Sequence, residues 1–447
     1  MVVDITWSDI LIGFLFAIVI LGIGKKRSKQ VPAYLSQTYF RNVQIKLLSS
    51  LIFSLVYLLI YRGGDTVAYF KTIECFNNLL IEDPIAYWNQ IFNDYEGGHH
   101  IKYFTFESGI PPGWIFREKE GFFLCKILAV PGLLSLNSYF AFSFLISFWI
   151  ANISWEFYNF IHQQYGLNKL IRFGILYMPS VNFWCTGISK DTIVLGLTLL
   201  MILGIMNYLN KGRRDVKSIF KLFLIGLILF QIRSFILIAI LFPFGIVIVS
   251  RFIRLRIKTT LLRRLILFMV FLLSGLGLIQ FMNLDTSEDE FLESNSFIAE
   301  AANTQQDFAN NSIYGDKRYQ LGDVEYTPVG MLKSAPMSIF AGIYRPLLTE
   351  SLSLTLLFNG LESTFLLFLT LRFFKFGAGT FVRNVNQNDI LLFSLIFVTV
   401  IAFVTGFTSV LFGVLVRLRT PLLPFFVLLL AFKYNDVKIE RGDYNKR

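Results

Sequence analysis

Long apolar runs dominate the chain. Ile10–Gly24, Ile219–Phe230, Leu265–Met282 and Leu422–Phe432 hold almost no charge. Further apolar runs recur near the ~17–25 residues that a helix needs to cross a bilayer. The pattern predicts helices near 8–24, 45–61, 138–161, 170–186, 192–209, 219–232, 234–250, 265–282, 351–371, 389–406 and 410–432. That gives about eleven spans, within a range of about 10–12. The pairs 170–209 and 219–250 leave only a few residues between spans, so each reads as a hairpin or a broken helix. Residues 335–348 are apolar but too short to span and read as a re-entrant loop, while 121–136, interrupted by Lys126 and Pro131, read as interfacial. No repeat, heptad series or low-complexity linker is present, so the expectation is an all-α polytopic membrane domain over 1–447. Two large loops, 62–137 and 284–350, project from one face.

Composition agrees. Of 447 residues 55% are hydrophobic and 16% charged, with mean hydropathy +0.59 and 49 Phe, too apolar for a soluble domain or a nucleic-acid binder. The net charge of +11 therefore informs topology, since cytoplasmic loops of membrane proteins collect Lys and Arg. Lys25, Lys26, Arg27, Lys29, Arg41 and Lys46 form one basic cluster; Lys211, Arg213, Arg214 and Lys217 form a second; Arg251, Arg254, Arg256, Lys258, Arg263 and Arg264 form a third. Acids gather after the first cluster, from Asp65 to Glu120, and after the third, from Asp285 to Glu325. The basic loops are assigned to the cytoplasm and the acidic ones outside, which puts the N-terminus outside and the C-terminus inside. No Lys or Arg precedes the first apolar run, so it reads as a retained helix. Cys75, Cys125 and Cys185 lie in no metal-ligand spacing, and no metal is expected.

Charges at the outer ends of apolar helices carry the chemistry, because an ionised group in hydrocarbon is costly unless it lines a polar cavity. Five segments stand out. Arg62-Gly63-Gly64-Asp65 follows the second helix, with Asp65 a candidate base or hydroxyl-orienting group. Pro179–Asp191 carries Trp184, Lys190 and Asp191; Trp184 suits a sugar face and Lys190 a phosphate, while Asp191 also suits a first-turn helix charge. Arg233 interrupts an apolar stretch, as a snorkelling residue or as a binding-site cation. Tyr344-Arg345-Pro346 offers a guanidinium fork or an Arg345–Glu350 pair, and Arg417 and Arg419 lie in the last helix ahead of Pro421. All five fall on the outer side in the derived topology, so Arg62, Lys190, Arg233, Arg345, Arg417 and Arg419 are the candidate pyrophosphate-binding cations. His99 and His100 are general-base candidates or an exposed pair on a turn.

These elements carry a resemblance. The Gly-Gly-Asp-Thr-xxx-Tyr segment (Gly63–Tyr69), the Pro-Ser-x-x-Phe-Trp…Ser-Lys-Asp hairpin (Pro179–Asp191), Tyr344-Arg345-Pro346 and the Val-Arg-x-Arg-x-Pro of Val416–Pro421 resemble bacterial surface-polysaccharide proteins of the Wzy-type O-antigen polymerase and EpsG-like exopolysaccharide families. The likeness implies a GT-C-like glycosyltransferase in the bacterial inner membrane. It implies undecaprenyl-diphosphate-linked oligosaccharides as substrate, membrane lipid and a chain-length regulator as further partners, and no cofactor. Under it the arginines neutralise the leaving pyrophosphate, Asp65, His99, His100 or Asp191 serves as base, and Trp184 and Tyr344 contact sugar. The 284–333 segment lacks the Arg-rich motif that such families often carry before their last helices.

Competing classes are a flippase or transporter of lipid-linked oligosaccharide, an O-antigen ligase with the same leaving group, and a non-catalytic membrane subunit. Transporters usually show repeats and polar residues reachable from both sides, whereas the notable charges here gather on one.

Overall fold

Every regular element among the described residues of the computed structural model is helical. These residues are 5–93, 102–211, 215–257, 328–351, 354–376, 388–409 and 411–431, with Tyr319 and scattered positions in 259–269 and 378–385. The helices are α1 (Trp7–Ser28), α2 (Ala33–Leu55), α3 (Asp65–Glu82), α4 (Pro84–Phe92), α5 (Lys119–Gly132), α6 (Tyr139–Tyr165), α7 (Lys169–Arg172), α8 (Pro179–Trp184), α9 (Lys190–Lys211), α10 (Val216–Arg256), α11 (Pro328–Tyr344), α12 (Leu354–Phe376), α13 (Asp389–Thr408), α14 (Phe412–Leu418) and α15 (Leu423–Ala431). Eight stretches of these are long and apolar enough to cross a membrane, and the chain is a polytopic, all-helical membrane protein.

The element boundaries differ from the sequence expectation in four places. The second span begins at Ala33 and continues through a π turn to Ile60, not at 45. Its first half escaped the hydropathy reading because Thr38, Asn42 and Lys46 are buried against protein rather than placed in a loop. The expected span 170–186 is instead α7, a π turn over Phe173–Tyr177 and α8, interrupted where Pro179 starts a new helix. The pair 219–232 and 234–250 is one run, α10, broken at Arg233, whose φ of −155° and ψ of 88° are not helical. The apolar segment 335–348 falls in α11 only as far as Tyr344, and that helix starts earlier, at Pro328. The expected span 265–282 lies almost wholly outside the described residues, as do His99, His100 and most of the loop 284–350.

The described residues form two compact units, 1–164 with 175–237, and 165–174 with 238–447. In the first, α2 and α6 run antiparallel in a fixed register. Asn42 Nδ2 donates to the Ala151 carbonyl at 2.8 Å and Ser50 Oγ to that of Ser143 at 3.1 Å. Gly24 of α1 admits Val43 of α2, and a Cβ there would lie 3.1 Å from the valine. Between α2 and α6, α3, α4 and α5 pack on an aromatic core of Phe76, Tyr87, Phe104, Phe116 and Phe122. Each fully buried ring there contributes about 2–3 kcal/mol of burial energy. Pro84 opens α4 and Asp83 caps it, its Oδ1 accepting the Ile85 and Ala86 N–H groups at 3.0 Å each. One edge of α4 is apolar yet exposed, through Ile85, Trp88 and Phe92. The Lys126 ammonium of α5 donates to the Asn93 carbonyl at 2.6 Å and ties α5 to the end of α4.

In the second unit, α11 and α13 cross at two glycines. A Cβ on Gly342 would strike the Ala402 carbonyl, and one on Gly406 would strike that of Ser338. Phe393, Phe397 and Phe425 interlock α13 with α15. Asp389, in the first turn of α13, pairs with Arg251 and Arg254 of α10.

Candidate functional site

The hairpin between α8 and α9 is built by short hydroxyl side chains. Thr186 Oγ1 donates to the Asn182 carbonyl at 2.7 Å and Thr192 Oγ1 to the Gly187 carbonyl at 2.7 Å. Ser189 Oγ accepts the Thr192 N–H at 3.2 Å, capping α9. A side chain on Gly187 would collide with the Phe53 ring. The turn delivers Lys190 and Asp191 into the first turn of α9, on different sides of the helix. The Lys190 ammonium pairs with Glu118 and, at 3.2 Å, with Glu120 Oε2. The Lys190 side chain is 10% exposed, against 37% for Glu118 and 49% for Glu120. Asp191 is fully buried, and its Oδ1 meets Arg233 Nη2 at 2.7 Å. The break at Arg233 in α10 lets its side chain turn onto that carboxylate. Five charged side chains thus surround the head of a membrane-spanning helix.

Trp184 stands at the end of α8, half-buried, edge-on to Phe183 at 4.9 Å and to Phe53 at 6.4 Å. Arg62 is exposed with φ 50°, followed by Gly63 and Gly64 at φ 140° and 96°. This left-handed run turns the chain sharply before Asp65, which starts α3 half-buried. Glu118 and Glu120 were not singled out from the sequence. The signal available was two acids flanking Lys119 just ahead of an apolar helix, a pattern that also describes any acidic first turn.

In the second unit Arg345 follows the end of α11. Its Nε lies 3.2 Å from Glu350 Oε1, and its guanidinium sits 5.0 Å from the centre of the Tyr319 ring. Nη1 of Arg345 is buried with no hydrogen-bond partner among the described residues. Tyr319 donates its hydroxyl to the Gly406 carbonyl at 2.9 Å and stacks on Phe412. Burial raises its phenol pKa, against the opposing pull of Arg345, so it stays protonated. Arg419 is fully buried and donates Nη1 to the carbonyls of Ile343 at 3.0 Å and Arg345 at 2.8 Å. Both its terminal nitrogens donate to Ser363 Oγ, and Glu362 lies 3.8 Å away. Arg419 therefore closes the carbonyl end of α11. Tyr344 donates its hydroxyl to Thr370 Oγ1 at 2.9 Å, and Arg417 is half-buried, its carbonyl accepting from Thr420.

Of the six candidate cations, Lys190 and Arg233 both lie at the first turn of α9, Lys190 on Glu118 and Glu120 and Arg233 on Asp191, and Arg345 and Arg419 lie together at the end of α11. Each of these four has a carboxylate within 4 Å. The first cluster is the more open, because its two glutamates are half-exposed. The chain matches no protein-family model, and comparisons with curated proteins and with solved structures also gave no match.

Proposed function

We propose that the chain is a membrane glycosyltransferase that polymerises a surface glycan from polyprenyl-diphosphate-linked repeat units on the outer face of the inner membrane. The observation that supports this reading is the charge cluster at the head of α9. Lys190 is held by two half-exposed carboxylates, beside a buried aspartate neutralised by Arg233. A diphosphate entering there exchanges with Glu118 and Glu120 for the Lys190 ammonium, which frees a carboxylate to accept the attacking hydroxyl's proton. The acceptor oxygen bonds to the anomeric carbon, the bond from that carbon to the diphosphate oxygen breaks, and the leaving diphosphate carries the negative charge. Asp191 serves as a positioning residue that holds Arg233, and Trp184 in the same hairpin offers a ring face to sugar.

A second reading, a flippase for the same lipid-linked glycan, is favoured by one observation. Lys46 is buried halfway along a membrane span rather than at its outer end.

The test is surface-glycan chain length in a strain carrying Lys190→Ala, with protein level checked by blot. The expected result is a polymer reduced about a hundredfold with single repeat units still displayed outside. Repeat units accumulating on the inner leaflet point to the flippase. An unchanged ladder removes both readings.

A further inference from the structure

Lys46 lies halfway along the 28-residue span Ala33–Ile60 and is fully buried. Its Nζ has no hydrogen-bond partner among the described residues. The α2–α6 register, set by Asn42 on Ala151 and Ser50 on Ser143, brings Ser147 level with Lys46. Ser147 Oγ is likewise buried and without a partner among the described residues. On the α8 side, the Cys185 thiol is the titratable neighbour of Lys46. Asn182, one turn earlier, donates Nδ2 to the Leu176 carbonyl at 3.2 Å. The buried aspartate of this unit, Asp191, is committed to Arg233.

An ammonium removed from both water and a counter-ion is strongly disfavoured, and ionisable groups at such depth mark binding sites or conduction paths. The three ammonium protons of Lys46 and the serine hydroxyl level with it on α6 make up a donor set suited to a tetrahedral oxyanion. We propose that Lys46 and Ser147 form an intramembrane site for a phosphate group, carried either by a free anion or by a lipid headgroup. The site is separate from the α9 cluster and does not depend on glycosyl transfer.

The test uses the full chain in detergent micelles, with thermal melting followed by tryptophan fluorescence. The probes are inorganic phosphate, farnesyl phosphate and, as a phosphate-free control, farnesol. Wild type is expected to gain about 3–6 °C in Tm at a large excess of at least one phosphate probe and nothing from farnesol. Response to inorganic phosphate identifies a free-anion site, and response to farnesyl phosphate alone identifies a headgroup site. Lys46→Met, which removes the buried charge while keeping the volume, is expected to melt no lower than wild type and to lose the shift. Ser147→Ala is expected to need about tenfold more probe for the same shift. A wild type unmoved by either phosphate probe, an equal shift with farnesol, or a Lys46→Met protein that responds as wild type overturns the site. Should Lys46→Met fail to fold, Ser147→Ala decides: an unchanged probe requirement overturns the proposal.

Discussion

Lys190 and Asp191 are neighbours in sequence and opposites in surroundings. Asp191 and Arg233 are both shielded from solvent, so Arg233→Met takes the paired cation from a buried carboxylate and is expected to cost about 3–5 kcal/mol. The double change Asp191→Leu with Arg233→Met should recover most of it; melting of the four proteins of the cycle measures the coupling. Lys190→Ala leaves behind two half-exposed glutamates that water can solvate and should cost less than Arg233→Met in the same melting measurement. A loss of glycan polymer in that variant therefore reports on chemistry rather than on folding. The cysteines make a separate test. Burial pushes the Cys75 thiol up to about 12, with the Glu74 charge adding to the effect and Lys71 opposing it, and burial raises Cys125 as well. The reactive thiolate is scarce at any pH below a raised pKa and grows as pH climbs toward it. Both thiols should thus resist iodoacetamide at about pH 8 until the chain is unfolded in dodecyl sulfate, as read by mass spectrometry.

Helices that are apolar throughout were legible from hydropathy even where protein buries them, and a helix whose buried face carries polar residues was not. Residues 389–406 and 138–161 emerged close to their true limits because apolar residues run through both. The first half of α2 was hidden, since Thr38, Asn42 and Lys46 point into a protein interior that a hydropathy window cannot distinguish from water. The break before α8 was foreshadowed by Pro179, while the length of α11 was obscured by Lys333 and Pro336 inside it. Among the candidate site residues, the Lys190–Asp191 step and Arg233 were visible as charges in apolar surroundings. The acidic partners of Lys190, Glu118 and Glu120, distant in sequence, and the pairing of Asp191 with Arg233 needed the fold. Packing of α11 on α13 yields an element-level prediction. Gly342→Ala places a methyl against backbone and should cost at least about 1–3 kcal/mol, whereas Gly22→Ala, open to surroundings in α1, should be neutral or slightly stabilising. Yield of monodisperse protein in size-exclusion chromatography separates the two.

Charge bias along the loops assigns an orientation to the whole molecule, and single cysteines test it. Phe106, almost fully exposed beyond α4, belongs to the acidic loop assigned outside; Lys29, at the end of α1, belongs to the basic cluster assigned to the cytoplasm. In intact cells a membrane-impermeant maleimide should label Phe106→Cys and leave Lys29→Cys unlabelled until the cells are opened. The reverse pattern inverts the topology and moves the α9 cluster to the cytoplasmic side.

The apolar edge of α4 links that placement to the bilayer itself. Ile85, Trp88 and Phe92 give the segment an exposed apolar face of the kind that lies at a lipid boundary, and Lys126 lashes α5 to the end of α4. On that seating, Glu118 and Glu120, at the start of α5, would take their height from the lipid. A thicker or thinner membrane would then retune their grip on Lys190, as a change in tide alters the slack in a mooring line.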